Sequence, residues 1–573
     1  MNRLPALLLA MVTFVTVARA QHPAPKAWPL ADSAVVAEGA RAMVVSGNVI
    51  ASRVGRDIMG QGGNAVDAAV AVGFALQVVH PEAGNIGGGG FMLIRLADGR
   101  VLALDYRETA PARATRLMYV GKDGNPTEAS WTGHLSVGVP GAVAGLAEAH
   151  RRFGKLPWKA ILEPAITLAR DGFVVDQYRS ESIQEDAVRL ARFPASAAQY
   201  LPGGKAPVAG SVWTQPDLAR TLAVIRDQGA AGFYRGPIAD LIVAEMKRGH
   251  GLITKRDLAG YQAVWREPIA FTYRGHTIYS MPPASSGGVT LAMIMNTMEG
   301  FDPLPAFGTP ELLHREAEAM RRAFIERNSS LGDPAFVKNP IARMTSKAYA
   351  ARRRAEIDLG HASPTPSVAK VLKDGPSTTH YSVVDGDGNA VSTTTTLNNS
   401  FGSAVTVHGG GFLLNDEMDD FTTAPGKPNN YGLVQGAANA IVPGKRMLSA
   451  MTPSIVLGPD KQLLMVVGTP GGPTIITQVY HVISNVIDHH MSLPKAVAMP
   501  RLHHQSLPDE IFLERDAFPP ATVQALVAMG HKVVLRGYMG DVEAIIRTAH
   551  GWLGASDPRR GGGGAGLPAP PIP

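Results

Sequence analysis

A hydroxyl-rich segment far from either terminus places the strongest constraint on how this chain can fold. Residues 377–396 read STTHYSVVDGDGNAVSTTTT, with threonines at both ends of a short apolar stretch. The β-branched residues on each side of the Asp-Gly-Asp-Gly-Asn sequence favour two strands joined by a turn. If residues 387–388 form a two-residue loop, Thr379 faces Thr396 and Thr378 lies within diagonal reach. The hairpin therefore predicts that hydroxyl groups remote in sequence lie close together.

Two interpretations of this hairpin remain open on the residues alone. Threonine is a good strand former, so a threonine ladder can be purely structural. However, the hairpin directly follows residues 360–376, which are polar and rich in proline and glycine, as in an exposed linker. A cut between Ser377 and Thr378 would give a threonine with a free α-amine, and such a residue carries nucleophile and base together.

Composition narrows the possible functions. The chain has 573 residues, 45% of them hydrophobic, which is enough for a large buried core. Its net charge of +6 is small for this length and comes from no long basic run, so nucleic acid is not an expected partner. Cysteine is absent, which excludes disulfides, thiol catalysis and cysteine-ligated zinc. The adjacent histidines at 489–490 and 503–504 are poorly placed to share an ion, and we expect no metal or cofactor.

The N-terminus has the pattern of a secretory signal peptide. Arg3 precedes an apolar segment at residues 4–17, and residues 18–20 form an A-x-A cleavage site. We therefore predict a signal peptide at residues 1–20, a mature N-terminus at Gln21, and a periplasmic or secreted protein. The apolar segment is short for a bilayer, so no stable membrane span is expected after signal removal.

Local patterns predict elements near both ends of the chain. Asn64 before an apolar run at residues 65–72 predicts an N-capped, buried helix. A strand at 463–467, a glycine turn at 468–472 and a helix at 474–485 together would direct backbone N–H groups toward an anion, although Pro-Gly-Gly alone predicts only a turn. Residues 561–573 are dominated by glycine and proline, which predicts a disordered tail.

Several blocks of sequence resemble the γ-glutamyltransferase family, and they occur along the chain in the same order as in that family. The hairpin segment at 378–385 is one block, followed by residues 396–398 and 415–421. Further matching blocks lie at residues 62–69, 106–108, 136–141, 283–288, 470–472 and 554–559. The resemblance therefore covers nearly the whole chain, from about residue 39 to residue 559.

This resemblance implies a fold, a maturation step and an activity. The fold is α+β, the N-terminal-nucleophile (Ntn) hydrolase fold, a four-layer αββα sandwich. A precursor would cut itself between Ser377 and Thr378 into a large subunit, residues 21–377, and a small catalytic subunit, residues 378–573, which form a heterodimer within one intertwined αββα domain. The implied substrates are glutathione and other γ-glutamyl compounds, with water or an amino acid or peptide as acceptor.

The resemblance also implies the roles of single residues. Thr378 would be the nucleophile, Thr396 would orient its Oγ, and Gly471 and Gly472 would supply the oxyanion-hole N–H groups. Arg107 matches the arginine that binds the substrate α-carboxylate. The other candidate substrate-binding residues are Ser449 for the carboxylate, and Asp420, Asn398 and Glu417 for the α-ammonium.

One departure from the family and one further likeness accompany the resemblance. Ala450 stands where the family usually has a second serine, and loss of that hydrogen bond predicts a cost on the order of 1 kcal/mol. Residues 425–437, which include Tyr431, resemble a lid loop over the pocket.

Two alternative functions remain. One is a cephalosporin (glutaryl) acylase of the same fold, against which Asp420 argues because its carboxylate has little purpose without an ammonium to bind. The other is a non-catalytic periplasmic protein that binds glutathione or glutamate and keeps its chain uncut.

Overall fold

A computed structural model describes residues 28–365 and 378–569. The expected signal peptide, Gln21, Ser377 and most of the expected linker lie outside the described residues. None of the described helices combines the length and the apolar character needed to cross a lipid bilayer.

Nineteen strands occur in the described residues. They are β1 Val35–Gly39, β2 Ala42–Ser46, β3 Gly89–Arg95, β4 Val101–Asp105, β5 Phe173–Val174, β6 Val212–Trp213, β7 Val264–Arg266, β8 Ile269–Tyr273, β9 His276–Ser280, β10 Thr378–Val384, β11 Ala390–Thr396, β12 Ser454–Leu457, β13 Leu463–Gly468, β14 Leu502–His503, β15 Ile511–Glu514, β16 Val533–Arg536, β17 Glu543–Thr548, β18 Gly551–Ser556 and β19 Gly563–Leu567.

Eighteen α-helices occur in the same residues. They are α1 Val49–Gly60, α2 Ala65–Val79, α3 Ala142–Phe153, α4 Trp158–Asp171, α5 Gln177–Glu185, α6 Ala187–Leu190, α7 Pro194–Tyr200, α8 Pro216–Gln228, α9 Ala230–Tyr234, α10 Pro237–Arg248, α11 Lys255–Gly260, α12 Gly287–Glu299, α13 Pro310–Ser330, α14 Ile341–Met344, α15 Lys347–Ala355, α16 Thr474–Ile487, α17 Leu493–Ala498 and α18 Pro520–Ala528.

Two seven-stranded sheets form the centre of the molecule. One has the strand order β1-β18-β17-β13-β12-β9-β8, and the other has the order β19-β2-β10-β11-β3-β4-β7. Their facing side chains, such as Val45 and Leu93 from one sheet and Ile455 and Val466 from the other, form one apolar cluster. Because strand side chains alternate in direction, the intervening residues point outward and pack against helices.

Helices cover both outer faces of the paired sheets. Val44 and Met92 pack in a core with α2, and Met465 and Val467 pack in a second core with α12, α13 and α16. The molecule is therefore the expected four-layer αββα sandwich, with sheets in the middle and helices outside.

The predicted hairpin forms, but its register differs by one residue from the expected one. Thr378 pairs directly with Thr396, not diagonally. Asp385 Oδ1 accepts hydrogen bonds from the backbone N–H groups of Asp387, at 3.0 Å, and Asn389, at 2.9 Å. This side chain therefore closes a loop longer than two residues, and the expected pairing of Thr379 with Thr396 is wrong.

The predicted helix cap is present at Asn64. Its Oδ1 accepts from the backbone N–H groups of Val66 and Asp67, and Asp67 Oδ2 accepts from Asn64 N at 3.0 Å. This reciprocal capping box fixes the start of α2, which is buried along nearly its whole length against the second sheet.

Residues 561–569 are ordered where a disordered tail at residues 561–573 was expected, and the last four residues of that tail lie outside the described residues. Residues 563–567 form β19, which pairs antiparallel with β2 at the edge of the second sheet. Glycine also permits a close approach of β19 to β1, because a Cβ on Gly566 would lie 2.0 Å from the carbonyl oxygen of Glu38 in β1. The glycine content therefore reflects a close approach of strands and not a flexible tail.

Candidate active site

The threonine pair of the hairpin, Thr378 and Thr396, lines a small cavity. Thr378 Oγ1 lies 3.2 Å from Thr396 Oγ1, and Thr396 Oγ1 also accepts from Asn398 N at 2.9 Å. The cavity has a water-accessible volume of about 20 Å³. It is lined by Arg107, Arg327, Thr378, Thr396, Asn398, Glu417, Asp420, Tyr431, Leu433, Ser449, Ala450, Met451, Gly472, Pro473 and Ile475.

A buried arginine lies between two carboxylates in this cavity. Arg107 follows β4 and is 1% exposed. Its Nη1 lies 2.5 Å from Glu417 Oε2, and its Nη2 donates to Asp420 Oδ2. Glu417 and Asp420 are the first and last residues of one 3-10 helix turn, Glu417–Asp420. Because residues three apart lie on the same side of a 3-10 helix, both carboxylates can reach one guanidinium.

Burial and charge act in opposite directions on these groups. Burial raises the pKa of the Glu417 and Asp420 carboxyl groups, and the Arg107 charge opposes that rise. The same carboxylates raise the pKa of Arg107 against the effect of its own burial. Glu108, which lies 3.7 Å from Arg107, has its pKa raised to about 8, chiefly by burial. The cavity therefore holds the buried, positively charged guanidinium of Arg107, which requires anionic partners. A ligand that bears a carboxylate would supply such a partner.

Ser449 is held by the segment of residues 283–288. Its backbone N donates to Ala284 O at 2.9 Å, and its carbonyl accepts from both Ser286 N, at 2.8 Å, and Ser286 Oγ, at 2.6 Å. These bonds hold the chain rigidly at the cavity wall, with Ala450 beside Ser449.

The predicted glycine turn connects β13 to α16. Gly471 has a φ of 132° and Gly472 a φ of 56°, in the region that favours glycine. Within the described residues neither backbone N–H donates a hydrogen bond, so both are available to an oxyanion. Gly472 lines the cavity, whereas Gly471 lines a wider groove next to it.

The segment that resembles a lid separates the cavity from this groove. Tyr431 borders both spaces, and its hydroxyl donates to Asn398 O at 2.8 Å. Its carbonyl accepts from Gln505 Nε2 at 3.0 Å. The groove outside it has a water-accessible volume of about 700 Å³, so a ligand end that extends past Tyr431 has room there.

The histidine pair at residues 503–504 is engaged in side-chain hydrogen bonds. His503 Nδ1 bonds to Thr477 Oγ1 at 2.9 Å and its Nε2 to Gln505 Oε1 at 3.0 Å. Across residues 28–365 and 378–569, no group of three or more His, Cys, Asp or Glu side chains is arranged to hold a metal ion.

The structure brings nearly all the candidate site residues to one place. Eight of them line the cavity, and Gly471 borders it from the groove. Sequence reasoning missed Arg327, which also lines the cavity. Arg327 follows Met320 and Phe324 on the buried face of α13, and a cation at the helical spacing of an apolar face is the signal that could have found it.

Comparison with known proteins shows the family of this chain. The sequence profile of the family described as Gamma-glutamyltranspeptidase matches residues 51–567. The chain belongs to this enzyme family. A glutathione hydrolase proenzyme of Escherichia coli (strain K12) is 46% identical over 524 residues, covering 90% of each chain. The acylase ACY 1 proenzyme of Pseudomonas sp. (strain SE83) is 41% identical over 508 residues, covering 87% of this chain and 88% of its own.

A solved structure supports the same assignment of fold. Cephalosporin acylase from Bacillus halodurans superposes with a TM-score of 0.84 at 29% identity, covering 95% of this chain and 99% of its own. The expected Ntn hydrolase fold of this γ-glutamyltranspeptidase family member is thereby confirmed.

Proposed function

We propose that this chain is a self-processing γ-glutamyltransferase and glutathione hydrolase. The observation that carries the proposal is that the Thr378–Thr396 hydroxyl pair and the Arg107–Asp420 ion pair share one small cavity. The first pair suits nucleophilic attack, and the second suits an α-amino acid, which bears both charges. The relatives named as glutathione hydrolase proenzymes support the same substrate class.

Maturation begins at the bond between Ser377 and Thr378. Thr378 Oγ attacks the carbonyl carbon of Ser377, and the acyl group moves from nitrogen to oxygen. Water then hydrolyses the ester, which leaves a carboxylate on Ser377 and a free α-amine on Thr378. The products are the large subunit, residues 21–377, and the small subunit, residues 378–573. They stay together as a heterodimer because β10 and β11 lie between β2 and β3.

Turnover uses the new amine as the base. An α-amine has an ordinary pKa of about 7.7–8.0, so it can accept the Thr378 Oγ proton near neutral pH. Oγ attacks the γ-amide carbon, Gly471 and Gly472 stabilise the oxyanion, and the protonated amine departs. Water or an amino acid or peptide amine then cleaves the γ-glutamyl ester. Thr396 orients the nucleophile throughout.

Substrate binding replaces the ion pair between Arg107 and Asp420 with ion pairs to the substrate. The substrate α-carboxylate binds Arg107 and the Ser449 hydroxyl, and the α-ammonium binds Asp420 with Glu417 and Asn398. Arg107, Glu417 and Asp420 thus each keep an oppositely charged partner in both the empty and the occupied site, which avoids the cost of leaving one of these three charges unpaired. No metal or cofactor takes part in this scheme. The signal peptide at residues 1–20 would direct the enzyme to the periplasm or the medium.

The maturation step is tested with Thr378→Ala. On a denaturing gel the wild type should give two bands of about 38 and 21 kDa, from a 60.5 kDa precursor. Thr378→Ala should give one uncut band with no activity, because nucleophile and base are the same residue. Ser382→Ala is a matched control four residues along β10 and should be cut normally. An active or cleaved Thr378→Ala protein would contradict the mechanism, and an uncut wild type would favour the binding-protein alternative.

The acylase alternative has its own support, because ACY 1 and the Bacillus halodurans acylase both resemble this chain. Comparing γ-glutamyl-p-nitroanilide with glutaryl-p-nitroanilide separates the two activities, since only the first carries an α-ammonium for Asp420. We expect the γ-glutamyl compound to have the higher kcat/KM, and the opposite order would establish the acylase.

A further inference from the structure

Arg327 is a second buried cation in the wall of the cavity. It lies near the end of α13, is 1% exposed, and lines the same space as Arg107, Asp420 and Ser449. Arg107 has carboxylate partners, but in the part of the chain that the structure describes Arg327 forms no salt bridge. A buried cation without a carboxylate partner is costly, so its retention at this site needs a reason.

Hydrogen bonds from Arg327 run to both ends of the proposed substrate site. Its Nε donates to Ser286 Oγ at 2.9 Å, and Ser286 in turn donates twice to the carbonyl of Ser449. Its Nη1 donates to Gln435 Oε1 at 3.1 Å, and Gln435 Nε2 donates to Asp420 O at 3.0 Å. One guanidinium thus fixes the spacing between the segment that carries Ser449 and the segment that carries Asp420.

The charge of Arg327 also acts on Asp420. Burial lowers the pKa of Arg327 to about 10, so its side chain stays charged near neutral pH. Burial raises the pKa of Asp420, and the charges of Arg107 and Arg327 both oppose that rise. The other charged groups close to Asp420 are Glu108, Glu417 and Asp419, all of them acidic. When a substrate carboxylate engages Arg107, Arg327 is the cation that remains to keep Asp420 ionised.

We propose that Arg327 is a positioning residue that sets the selectivity of this site for γ-glutamyl groups with a free α-amine. It holds the carboxylate-binding and ammonium-binding segments at the spacing of one α-amino acid, and its charge keeps Asp420 in the form that binds an ammonium. The inference rests on the proposed function, since it concerns the same substrate site.

The test is Arg327→Gln in the full-length enzyme, assayed with γ-glutamyl-p-nitroanilide. Two subunit bands on a gel confirm that maturation is intact. We expect KM to rise by about 10-fold or more with a much smaller change in kcat, because ground-state binding is lost. We also expect the acidic limb of kcat/KM to move upward by about one pH unit, since removing a neighbouring positive charge raises the pKa of Asp420. A general packing defect would not produce that shift.

Two further variants serve as a control and as a separate test of charge against hydrogen-bond geometry. Arg315→Gln removes another arginine of α13, away from the cavity, and should leave KM and the pH profile unchanged. Arg327→Lys keeps the charge but loses the planar fork, so the acidic limb should stay in place while KM rises by about 3-fold or more. This variant also carries the test if Arg327→Gln fails to mature.

The outcomes that overturn the proposal differ from those that overturn the function. A wild type that does not cleave γ-glutamyl-p-nitroanilide refutes the proposed function. If the wild type is active and Arg327→Gln has the same KM and pH profile as the wild type, only the role of Arg327 is refuted. The same conclusion follows if Arg327→Lys has the KM of the wild type.

Discussion

At the scale of single residues, two kinds of polar contact define the candidate site. The Thr378–Thr396 contact joins neutral hydroxyls, and each such bond contributes about 1 kcal/mol. The contacts of Arg107 join buried full charges, where removing one partner costs several kcal/mol. We therefore expect hydroxyl variants to remain folded and measurable, while charge variants need controls for stability.

Thr396→Val tests the orienting hydroxyl with almost no change in shape. We expect about a 10-fold lower kcat and slower self-cleavage, because Thr378 Oγ loses one hydrogen-bond partner. Steady-state kinetics on cleaved protein give kcat, and a time course on a gel gives cleavage. Thr395→Val is the matched control, because its hydroxyl bonds to Gly89 O at 2.8 Å and not to Thr378. Equal rates for the two variants would remove Thr396 from the mechanism.

At the scale of elements, the C-terminal strand β19 stabilises the edge of the second sheet by pairing with β2. β19 covers β2, and β2 pairs with β10, the strand that begins with Thr378. Further bonds attach β19 to the body, since Ser52 Oγ donates to Gly563 O at 2.6 Å and Arg41 N donates to Leu567 O at 3.2 Å. The C-terminal strand is thus two strands away from the candidate nucleophile.

Truncation after residue 562 should therefore be harmful. We expect a fall in melting temperature of at least about 5 °C and reduced self-cleavage, because β2 loses its hydrogen-bonded neighbour. Thermal unfolding and a gel of the cleavage products measure these effects. Truncation after residue 569, which keeps β19, should match the full chain. A full-length melting temperature in the shorter protein would support the expectation of a disordered tail.

At the scale of the whole molecule, burial holds many titratable groups in their neutral forms. Burial lowers the pKa of His380, His481 and His503 to about 3. Burial also raises the pKa of Glu316 and Asp416 to about 8. Such groups make the free energy of unfolding depend on pH, because the unfolded chain binds a different number of protons.

We expect maximal stability at about pH 6, because the three histidines outweigh the two carboxyls until the unfolded histidines begin to lose their protons. At pH values between about 3 and the ordinary histidine pKa of 6.5, these histidines bind protons in the unfolded chain but not in the folded one. The free energy of unfolding therefore falls as pH falls through that range. The two carboxyls keep their protons when folded up to about pH 8, so stability falls as pH rises from about 4 to 8. Melting temperatures between pH 4 and 9 provide the test, and a maximum at pH 8 or above would contradict it.

Several local features could be predicted because they depend on neighbours in sequence. The Asn64 cap, the turn between β13 and α16, and the β10–β11 hairpin all form where the residues predict them. The register of the hairpin could not be predicted, because it depends on hydrogen bonds from the loop backbone to the Asp385 side chain, which stabilise a longer loop. Arg327 was missed because its partners, Ser286 and Gln435, lie 41 and 108 residues away along the chain.

In the sequence by itself, the motif blocks that resemble the γ-glutamyltransferase family implied the family, the αββα fold and the candidate site residues, while local patterns predicted single strands, turns and helices, because motifs and periodicity are properties of short segments. Only the tertiary structure decided which groups face each other: Thr378 with Thr396, Arg107 between Glu417 and Asp420, and β19 against β2. The physical reason is that the pairing of charges and of strand edges depends on burial and on contacts between distant segments, which no local pattern encodes.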